Sequence, residues 1–580
     1  MLNQIYYYYF NSHYEKCLEI SEKYLDNIDA LTYATLCSFK LSINDKTLYY
    51  AEQLFIKNPT SFNGLLLAKA YILNSKFQEA LDLLQKFAAK NDALHDEINL
   101  ELALLFQMIG KLEETEKIFQ NLLKKDPYNL NLWKSYAEIY FKKDFNKALK
   151  AHEELCAFCI QTNEKIKQGL LVEKTHSNTS NFQDRLQNKT KENITIAKIE
   201  EFLNTQILPQ KAYLLFKLFK IEQSLALFQS LQEFNQHSAQ FWQNYAKVLE
   251  FSSNYQNAYH AYQKALSLHS HATYKFDLAY LLMRMGVEDN FEEGKKFYES
   301  RLFYAHNETF SAYHYNKTMQ AFNKDGIEAF KNKEILVFCE QGYGDTIMYS
   351  RCLEKICQIT SNVLFAPQSA MYEMFKSQIK ILNQSKKSFK NLKVLKSLPK
   401  NFDYAMPICS LPFFMDIKLT ELSQLKTPIK AHHRAQDKIK KIGIFWFTPN
   451  AIDSETTRNF ELEFLLDALK DTPYELISFQ MQGDYKLPDK IENRATKIKN
   501  WNDTLNNLSN IDCMITIDSA IAHLSLALEI PTIVLLKPRF DWRWGKFEQP
   551  KSFFWPKAKI LVVKDEKNAK AELNKLIKTI

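Results

Sequence analysis

The sequence predicts a protein of the α + α/β class, in which a helical repeat solenoid is followed by a two-lobed α/β domain. Two observations predict this class. Small and large apolar residues recur at intervals of about 34 residues through the first half of the chain. After Asn323, short apolar segments typical of strands alternate with segments typical of helices. A chain of 580 residues is too long for one hydrophobic core, so we expect several folding units.

The repeated apolar positions lie in two blocks, residues 1–160 and 201–322. In the first block three consecutive units carry the pattern: Leu67, Ala68, Tyr71, Ala80 and Leu84; Leu102, Ala103, Phe106, Gly110, Phe119, Leu122 and Pro127; Trp133, Tyr136, Ala137, Tyr140 and Ala148. In the second block it returns at Trp242, Tyr245, Ala246, Leu249, Ala258, Tyr262 and Ala265, and at Leu278, Ala279 and Gly286. The period and the mixture of small and aromatic residues match the tetratricopeptide repeat, in which small residues let paired helices approach.

A polar stretch, residues 161–200, separates the two blocks. It contains THSNTSNFQDRLQNKTKENIT and is rich in Asn, Thr, Lys and Gln, with almost no apolar periodicity. Such a composition cannot bury enough apolar surface to fold by itself. We therefore expect a flexible or partly disordered insert there.

Seven apolar segments after Asn323 are typical of strands, and they divide between two lobes, residues 323–430 and 431–580. Segments 334–340, 362–367 and 402–409 belong to the first lobe, and segments 441–447, 474–480, 513–518 and 532–537 to the second. Alternation of strand and helix produces parallel sheets with helices on both faces. Ligands of such sheets bind at the carboxyl ends of the strands.

Composition disfavours several classes of function. The net charge of +8 is small for this length, and Lys and Glu are mixed along the helices, so we expect no nucleic-acid partner. The apolar runs are far shorter than the ~20 residues of a membrane-spanning helix, so we expect no transmembrane segment. Nine cysteines without framework spacing favour reduced thiols and a cytoplasmic location. The first residues lack the features of a signal peptide, which also disfavours secretion.

The first candidate site follows the strand at 334–340. Gly342 and Gly344 come directly after it in a chain with only 11 glycines, so we expect a tight turn or a close backbone approach there. Asp345 then begins a helix. It is either the N-cap of that helix or a general base that takes a proton from an acceptor hydroxyl. Arg351, farther along, points towards the same cleft or pairs with a surface acid.

The second candidate site follows the strand at 513–518. That strand places Asp518 at the sheet edge, and Ser519 and Ala520 open a helix whose first N–H groups have no partner within the helix. Such a helix start carries a partial positive charge and can bind a pyrophosphate. Ser519 and His523 can add a hydroxyl and an imidazole donor. The alternative is a capped helix with a packed histidine.

The segments EQGYGDTIMYSR (340–351) and IDCMITIDSAIAHLSLAL (511–528) resemble, in order and spacing, the paired half-sites of a known enzyme family. That family is the heptosyltransferase-like glycosyltransferases, glycosyltransferase family 9, in the version that carries tetratricopeptide repeats in front. The resemblance spans about residues 290 to 565. It includes EEGKKFYESRL (292–302) and LLKPRFDWRWGKFEQPKSFFWP (535–556). It implies two Rossmann-like lobes of the GT-B architecture.

The same resemblance implies roles for individual residues. The family places its proposed base at the position of Asp345. The residues implied on the acceptor side are Gly342, Gly344 and Arg351. The residues implied to contact the donor nucleotide are Thr457, Arg458, Gln480, Gln482, Asp518, Ser519, Ala520 and His523. The tryptophans of the DWRW segment, Trp542 and Trp544, are more typical of a closing core than of a lid.

The sequence thus predicts an inverting, metal-independent glycosyltransferase that moves a sugar from an ADP- or UDP-linked nucleotide-sugar to a hydroxyl of a protein or glycan. No metal and no further cofactor is expected, and the repeats bind the acceptor or a peptide or protein partner. The sequence departs from the family at FTPNAID (447–453), where glycine is missing. The alternative is a non-catalytic scaffold whose transferase-like domain has lost its chemistry.

Overall fold

The computed structural model of this chain describes residues 1–90, 92–141, 143–168, 195–303, 310–385, 389–430, 441–449, 458–470, 472–481 and 485–579. The chain forms two compact units, Met1–Asn235 and Gln236–Ile580. The boundary expected between residues 322 and 323 therefore lies inside the second unit, and the predicted second repeat block belongs to the same unit as both lobes.

The first unit is helical. Its α-helices are α1 (Leu2–Phe10), α2 (Tyr14–Ser21), α3 (Ile28–Lys40), α4 (Asn44–Lys57), α5 (Ser61–Leu73), α6 (Phe77–Ala88), α7 (His95–Met108), α8 (Leu112–Lys125), α9 (Leu130–Ala137), α10 (Phe145–Lys167), α11 (Ile196–Phe202), α12 (Leu208–Lys217) and α13 (Ile221–Ser230). The first helices of four successive pairs, α3, α5, α7 and α9, begin at residues 28, 61, 95 and 130, which are 33, 34 and 35 residues apart. This spacing confirms the predicted tetratricopeptide-like solenoid, which begins earlier than Leu67.

One turn conformation recurs between the two helices of a pair. Ser12, Ser42, Ser75 and Gly110 each lie two residues before a second helix, and their φ angles are 60°, 56°, 58° and 84°. This left-handed conformation costs a residue with a Cβ atom roughly 1–2 kcal/mol. Only one of the four positions holds glycine, so the packing of the flanking helices must maintain the turn at the serines.

The polar stretch 161–200 is helical at both ends. Helix α10 continues to Lys167, and α11 begins at Ile196. Residues 169–194, which carry most of the predicted insert, lie outside the described residues.

The second unit begins with two further helix pairs. They are α14 (Ala239–Phe251) with α15 (Tyr255–Leu268), and α16 (Ala272–Met285) with α17 (Glu288–Tyr298); α18 (Phe310–Asp325) leads into the α/β part. The two pairs begin at residues 239 and 272, 33 residues apart, and they belong to the predicted second block.

Two parallel sheets follow, which confirms the predicted α/β half. The first contains β1 (Glu334–Phe338), β2 (Asn362–Ala366), β3 (Leu392–Val394) and β4 (Tyr404–Pro407) in the order β3-β2-β1-β4. The second contains β5 (Lys441–Phe445), β6 (Glu475–Ser478), β7 (Glu492–Asn493), β8 (Cys513–Ile517), β9 (Thr532–Leu536) and β10 (Lys559–Val562) in the order β10-β9-β8-β5-β6-β7. Counted from β5, the second order is 3-2-1-4-5-6, in which ligands bind at the switch point between strands 1 and 4.

Helices cover the sheets. They are α19 (Tyr343–Tyr349), α20 (Leu353–Ile359), α21 (Tyr372–Ser385), α22 (Leu411–Phe414), α23 (Leu419–Leu422), α24 (Leu462–Leu469), α25 (Trp501–Leu508), α26 (Ala520–Ala527) and α27 (Glu566–Lys578). Alternate strand residues serve opposite faces. Ile515 and Ile533 share a core with α24 and α27, whereas Met514 and Val534 share a core with α26.

The repeats of the second unit are joined to its α/β part by buried polar contacts. The guanidinium of Arg284 on α16 donates to the carbonyl oxygens of Phe540 (3.0 Å) and Gly545 (2.9 Å) and pairs with Glu250 at 2.8 Å. Lys295 on α17 donates to the carbonyl of Ile417 at 2.9 Å. These repeats are therefore part of the α/β unit and not a separate arm.

Within the described residues, no helix combines the length and the apolar character that crossing a membrane requires. All nine cysteines are described and none of them forms a disulfide.

Candidate functional site

The glycine turn after β1 leads directly into helix α19. Gly342 is the N-cap of this helix, with φ −68° and ψ 172°, and Asp345 is its third residue. The alternative interpretation of Asp345 as the N-cap is therefore wrong. The side chain of Asp345 instead contacts the other lobe, where its Oδ1 accepts a hydrogen bond from Nη2 of Arg543 at 2.5 Å. The other oxygen, Oδ2, makes no hydrogen bond within the described residues.

Arg543 is a largely buried cation, with its side chain 11% exposed, and it is shared by two carboxylates. Besides Asp345 it binds Oδ1 of Asp541 at 2.8 Å, and it donates to the hydroxyl of Tyr298 at 3.2 Å. Burial alone would lower the pKa of Arg543, but the carboxylates of Asp345 and Asp541 raise it well above its ordinary value. Burial would raise the pKa of Asp541, but the nearby Arg543 lowers it. Arg543 and Asp541 therefore stay charged.

The second helix start, at the carboxyl end of β8, is capped as expected. Ser519 is the N-cap of α26, and its Oγ accepts from the backbone N–H of Ala522 at 3.4 Å. Arg458 lies beside it, since its Nη1 is 3.3 Å from the carbonyl oxygen and 3.6 Å from Oδ2 of Asp518. The side chain of Arg458 is 53% exposed, so its guanidinium can reach a ligand. Asp518 itself is buried.

His523, one turn into α26, is a buried imidazole held by two tryptophans. The indole N–H of Trp555 donates to Nδ1 at 2.9 Å, and the ring stacks on Trp544 with centroids 5.4 Å apart. Because Nδ1 accepts, Nε2 carries the proton of the neutral ring. Burial lowers the pKa of His523, although the carboxylates of Asp518 and Asp345 act in the opposite direction. This is the packed histidine of the second interpretation, with one donor remaining.

The two helix starts touch. A Cβ atom on Gly344 would lie 2.8 Å from Cδ2 of His523 and 3.5 Å from the Cα of Ala520. Glycine at this position therefore serves a close approach between the lobes, and not a left-handed turn. We call the charged groups gathered at this contact the interlobe cluster, which consists of Asp345, Asp518, His523, Asp541 and Arg543.

Arg351 lies elsewhere, and neither expectation for it holds. Its guanidinium is buried and donates to the carbonyl oxygens of Leu425 (2.8 Å), Ser423 (3.1 Å) and Phe554. It also lies over the ring of Trp555, 4.6 Å from the centroid. Burial without a carboxylate partner lowers its pKa to about 10. The position supports a structural role.

The remaining residues expected to contact the donor nucleotide are only partly described. Gln480 is buried, its Oε1 accepts from the backbone N–H of Phe447 at 3.0 Å, and its Nε2 donates to the carbonyl of Phe447 at 2.9 Å. The amide thus shapes the loop after β5. Thr457 and Gln482 lie outside the described residues.

Two residues near the end of the second repeat block escaped the sequence interpretation. Arg301, which follows α17, is buried and pairs with Glu340 at 2.7 Å and with Glu299 at 2.9 Å. Tyr298 reaches Arg543, as described above. Both lie in the segment EEGKKFYESRL. The family resemblance included this segment but did not indicate which residues Tyr298 and Arg301 contact. Trp542 and Trp544 are buried, as expected for core residues.

Among the described residues, no group of three or more His, Cys, Asp or Glu side chains is arranged to hold a metal ion.

Comparisons with known proteins concern the fold alone. No protein-family model and no curated protein matches this chain. A tetratricopeptide repeat protein of known structure from Parabacteroides merdae is 13% identical over 47% of this chain and 92% of that chain, with a TM-score of 0.32. The C-terminal part of a repeat-containing protein from Cytophaga hutchinsonii is 11% identical over 48% of this chain and 96% of that chain, with a TM-score of 0.31. PilF from Pseudomonas aeruginosa is 11% identical over 44% of this chain and 96% of that chain, with a TM-score of 0.28. At these TM-scores the likeness carries no conclusion about the site.

Proposed function

We propose that this chain is an inverting, metal-independent glycosyltransferase of GT-B architecture that uses an ADP- or UDP-linked sugar as donor. The observation that supports the proposal best is the contact between the two sheet edges. The carboxylate of Asp345 follows β1 in one sheet, and it lies beside a helix start of the other sheet that carries Arg458 and His523.

The proposed reaction is a direct displacement. Oδ2 of Asp345 takes the proton of an acceptor hydroxyl, and the acceptor oxygen forms a bond to the anomeric carbon. The bond between that carbon and the diphosphate oxygen breaks, and the nucleoside diphosphate leaves with the electron pair. This single displacement inverts the configuration of the anomeric carbon.

The leaving diphosphate would be stabilised at the start of α26. The N–H groups of its first turn, the exposed guanidinium of Arg458 and Nε2 of His523 are the donors available there. Arg can bind a phosphate through two parallel hydrogen bonds. No metal ion takes part in this scheme.

We further propose that the helical repeats bind the acceptor or a peptide or protein partner. Paired helices of this kind present extended surfaces suited to peptides. Nine thiols without a disulfide are consistent with a cytoplasmic location.

A non-catalytic scaffold is the second candidate, and one observation favours it. Oδ1 of Asp345 is already bound to Arg543, and Gly344 packs against His523, so protein groups fill this part of the interlobe contact. Such a closed contact suits assembly as well as catalysis.

Nucleotide binding tests the donor site first. Titration calorimetry of the full chain with ADP and with UDP, without metal, should detect binding. Arg458→Ala should weaken it about 10- to 100-fold, the scale of a lost hydrogen bond to a charged group. Lys497→Ala, which removes a similarly exposed cation (61%) in the same lobe, should leave the affinity unchanged. Absence of binding to both nucleotides favours the scaffold.

Transfer of labelled sugar to acceptors in a cell extract then tests the chemistry. Asp345→Asn keeps an oxygen for Arg543 but cannot take a proton. Its rate should fall by roughly 10²–10⁴-fold while nucleotide affinity is kept. Equal rates in the wild type and Asp345→Asn would remove Asp345 from the mechanism.

A further inference from the structure

The last repeat helix contributes a side chain to the interlobe cluster. Tyr298 is the final residue of α17 and is buried, and its hydroxyl accepts from Nη2 of Arg543 at 3.2 Å. The same Nη2 donates to Oδ1 of Asp345 at 2.5 Å. One nitrogen of one guanidinium therefore joins the repeat region to the proposed base.

The tyrosine ring has little freedom to move. It stacks on Phe276 of α16, with centroids 5.6 Å apart and 21° between the planes, and meets Trp542 edge to face at 6.3 Å. The guanidinium of Arg301 covers it at 4.6 Å. A ring packed on three sides holds its hydroxyl at one place.

The hydrogen bonds of the guanidinium are made by its outer nitrogens. Nε of Arg543 is buried and has no hydrogen-bond partner within the described residues. Nη1 binds Asp541, and Nη2 binds Asp345 and Tyr298. Tyr280 also interacts with the guanidinium, which lies 5.2 Å from the ring centroid of Trp542. Without the tyrosine hydroxyl, Nη2 could turn towards either carboxylate.

We propose that Tyr298 is a positioning residue, which acts through Arg543 to set the orientation of the Asp345 carboxylate and so makes helix α17 part of the site. The catalytic consequence rests on the proposed function of Asp345, whereas the coupling between the two residues does not.

A double-mutant cycle measures the coupling without any assay of activity. Melting temperatures are compared for Tyr298→Phe, Asp345→Asn and the double variant of the full chain. If the two residues act through Arg543, the losses of the single variants do not add, and the double variant melts about 2 °C or more above the additive value. Additive losses would overturn the proposal.

Tyr262→Phe is the matched control. Its hydroxyl also donates to a buried charged network, to Glu250 at 3.2 Å, but it makes no contact with Arg543. The decrease in melting temperature caused by Tyr262→Phe should add to the decrease caused by Asp345→Asn. A coupling of Tyr262 equal to that of Tyr298 would mean a general effect of buried tyrosines and would also overturn the proposal.

The transfer assay separates positioning from packing. Tyr298→Phe should lower kcat about 10-fold and leave KM for the nucleotide-sugar within 2-fold, and Tyr262→Phe should change neither. An unchanged kcat in Tyr298→Phe contradicts the proposal. If no transfer occurs in the wild type, the proposed function fails, and the double-mutant cycle alone decides whether Tyr298 orients Asp345.

Discussion

At Gly344 the space for a side chain is already occupied by the imidazole of His523. Gly344→Ala would place a Cβ atom 2.8 Å from Cδ2 of that ring, and the ring cannot retreat because Trp544 and Trp555 hold it. We expect the variant to lose about 1–3 kcal/mol of unfolding free energy, the usual cost of overpacking, despite the better helix propensity of alanine. Denaturant unfolding of the full chain measures this.

Gly342→Ala provides the control two residues away. A Cβ atom there would meet only Oδ2 of Asp345, at 3.6 Å, and the backbone has an ordinary φ of −68°. Its cost should stay at or below about 1 kcal/mol, because the only loss is that alanine is a poorer N-cap than glycine. Equal costs at both positions would mean that the lobe contact is not tight.

His523 predicts a loss of stability in mild acid. Its pKa is lowered in the folded state by burial, so below its ordinary value of about 6.5 the unfolded chain binds a proton that the folded chain does not. Stability therefore falls as pH drops through this range, by up to about 1.4 kcal/mol per pH unit. Between pH 8 and pH 5, the unfolding free energy of His523→Gln should change less with pH than that of the wild type. The same dependence in both proteins would contradict the assignment.

The pairing of the segments that carry Asp345 and His523 was implied by the family resemblance. Strand ends alone place each residue at the edge of its own sheet, because the two strands belong to different sheets. The start of the helix at Gly342 and not at Asp345 could not be predicted, since helix ends are uncertain by one or two residues from local pattern. Arg351 could not be placed at all. Its partners Leu425 and Phe554 lie 74 and 203 residues away and offer only backbone carbonyls, which leave no mark in the sequence.

Among the strands, burial decided which were predictable. The seven predicted segments match strands to within a few residues, because fully buried strands are continuous apolar runs. The three that were missed, Leu392–Val394, Glu492–Asn493 and Lys559–Val562, are short or partly polar and lie at the outer ends of the sheets. The helix pairs before Leu67 lie within the predicted block 1–160, although no individual repeat unit was assigned to them from the sequence.

The left-handed turn at Ser75 predicts a stabilising substitution. Ser75 is exposed, with φ 58°. Ser75→Gly removes the cost of the Cβ atom in this conformation, partly offset by the greater freedom of glycine in the unfolded chain. We expect a gain of up to about 1 kcal/mol in unfolding free energy of the first unit. Ser75→Ala keeps a Cβ atom and should show no gain, and a gain for alanine as large as for glycine would argue against backbone strain.

At the scale of the whole molecule, the buried contacts of the repeats predict where the chain can be cut. A fragment 325–580 contains both lobes but lacks Arg301, so Glu340, whose side chain is 6% exposed in the full chain, loses its cation. It also lacks Arg284, which binds the carbonyls of Phe540 and Gly545. Loss of one partner from a buried ion pair costs about 3–5 kcal/mol. We expect this fragment to be unfolded or to melt far below the full chain.

The fragment 236–580 retains all of these contacts and should fold. Circular dichroism melts of both fragments test the difference. Cooperative melting of 325–580 at the temperature of 236–580 would show that the repeats contribute nothing to the lobes, and nucleotide titration should therefore be done on the full chain or on 236–580.

Arg284 is far in sequence from the groups that it binds, which affects how the protein folds during its synthesis. Its partner Gly545 lies 261 residues farther along the chain. A ribosome adding roughly 5–20 residues per second needs roughly 13–50 s to cover that distance. During this time helices α14–α17 are already synthesised, but Arg284 lacks the carbonyl groups of Phe540 and Gly545 that it binds in the folded unit. Met1–Asn235, by contrast, is already free to fold. We therefore expect nascent chains stalled between residues 300 and 540 to hold one finished unit and to recruit chaperones to the other.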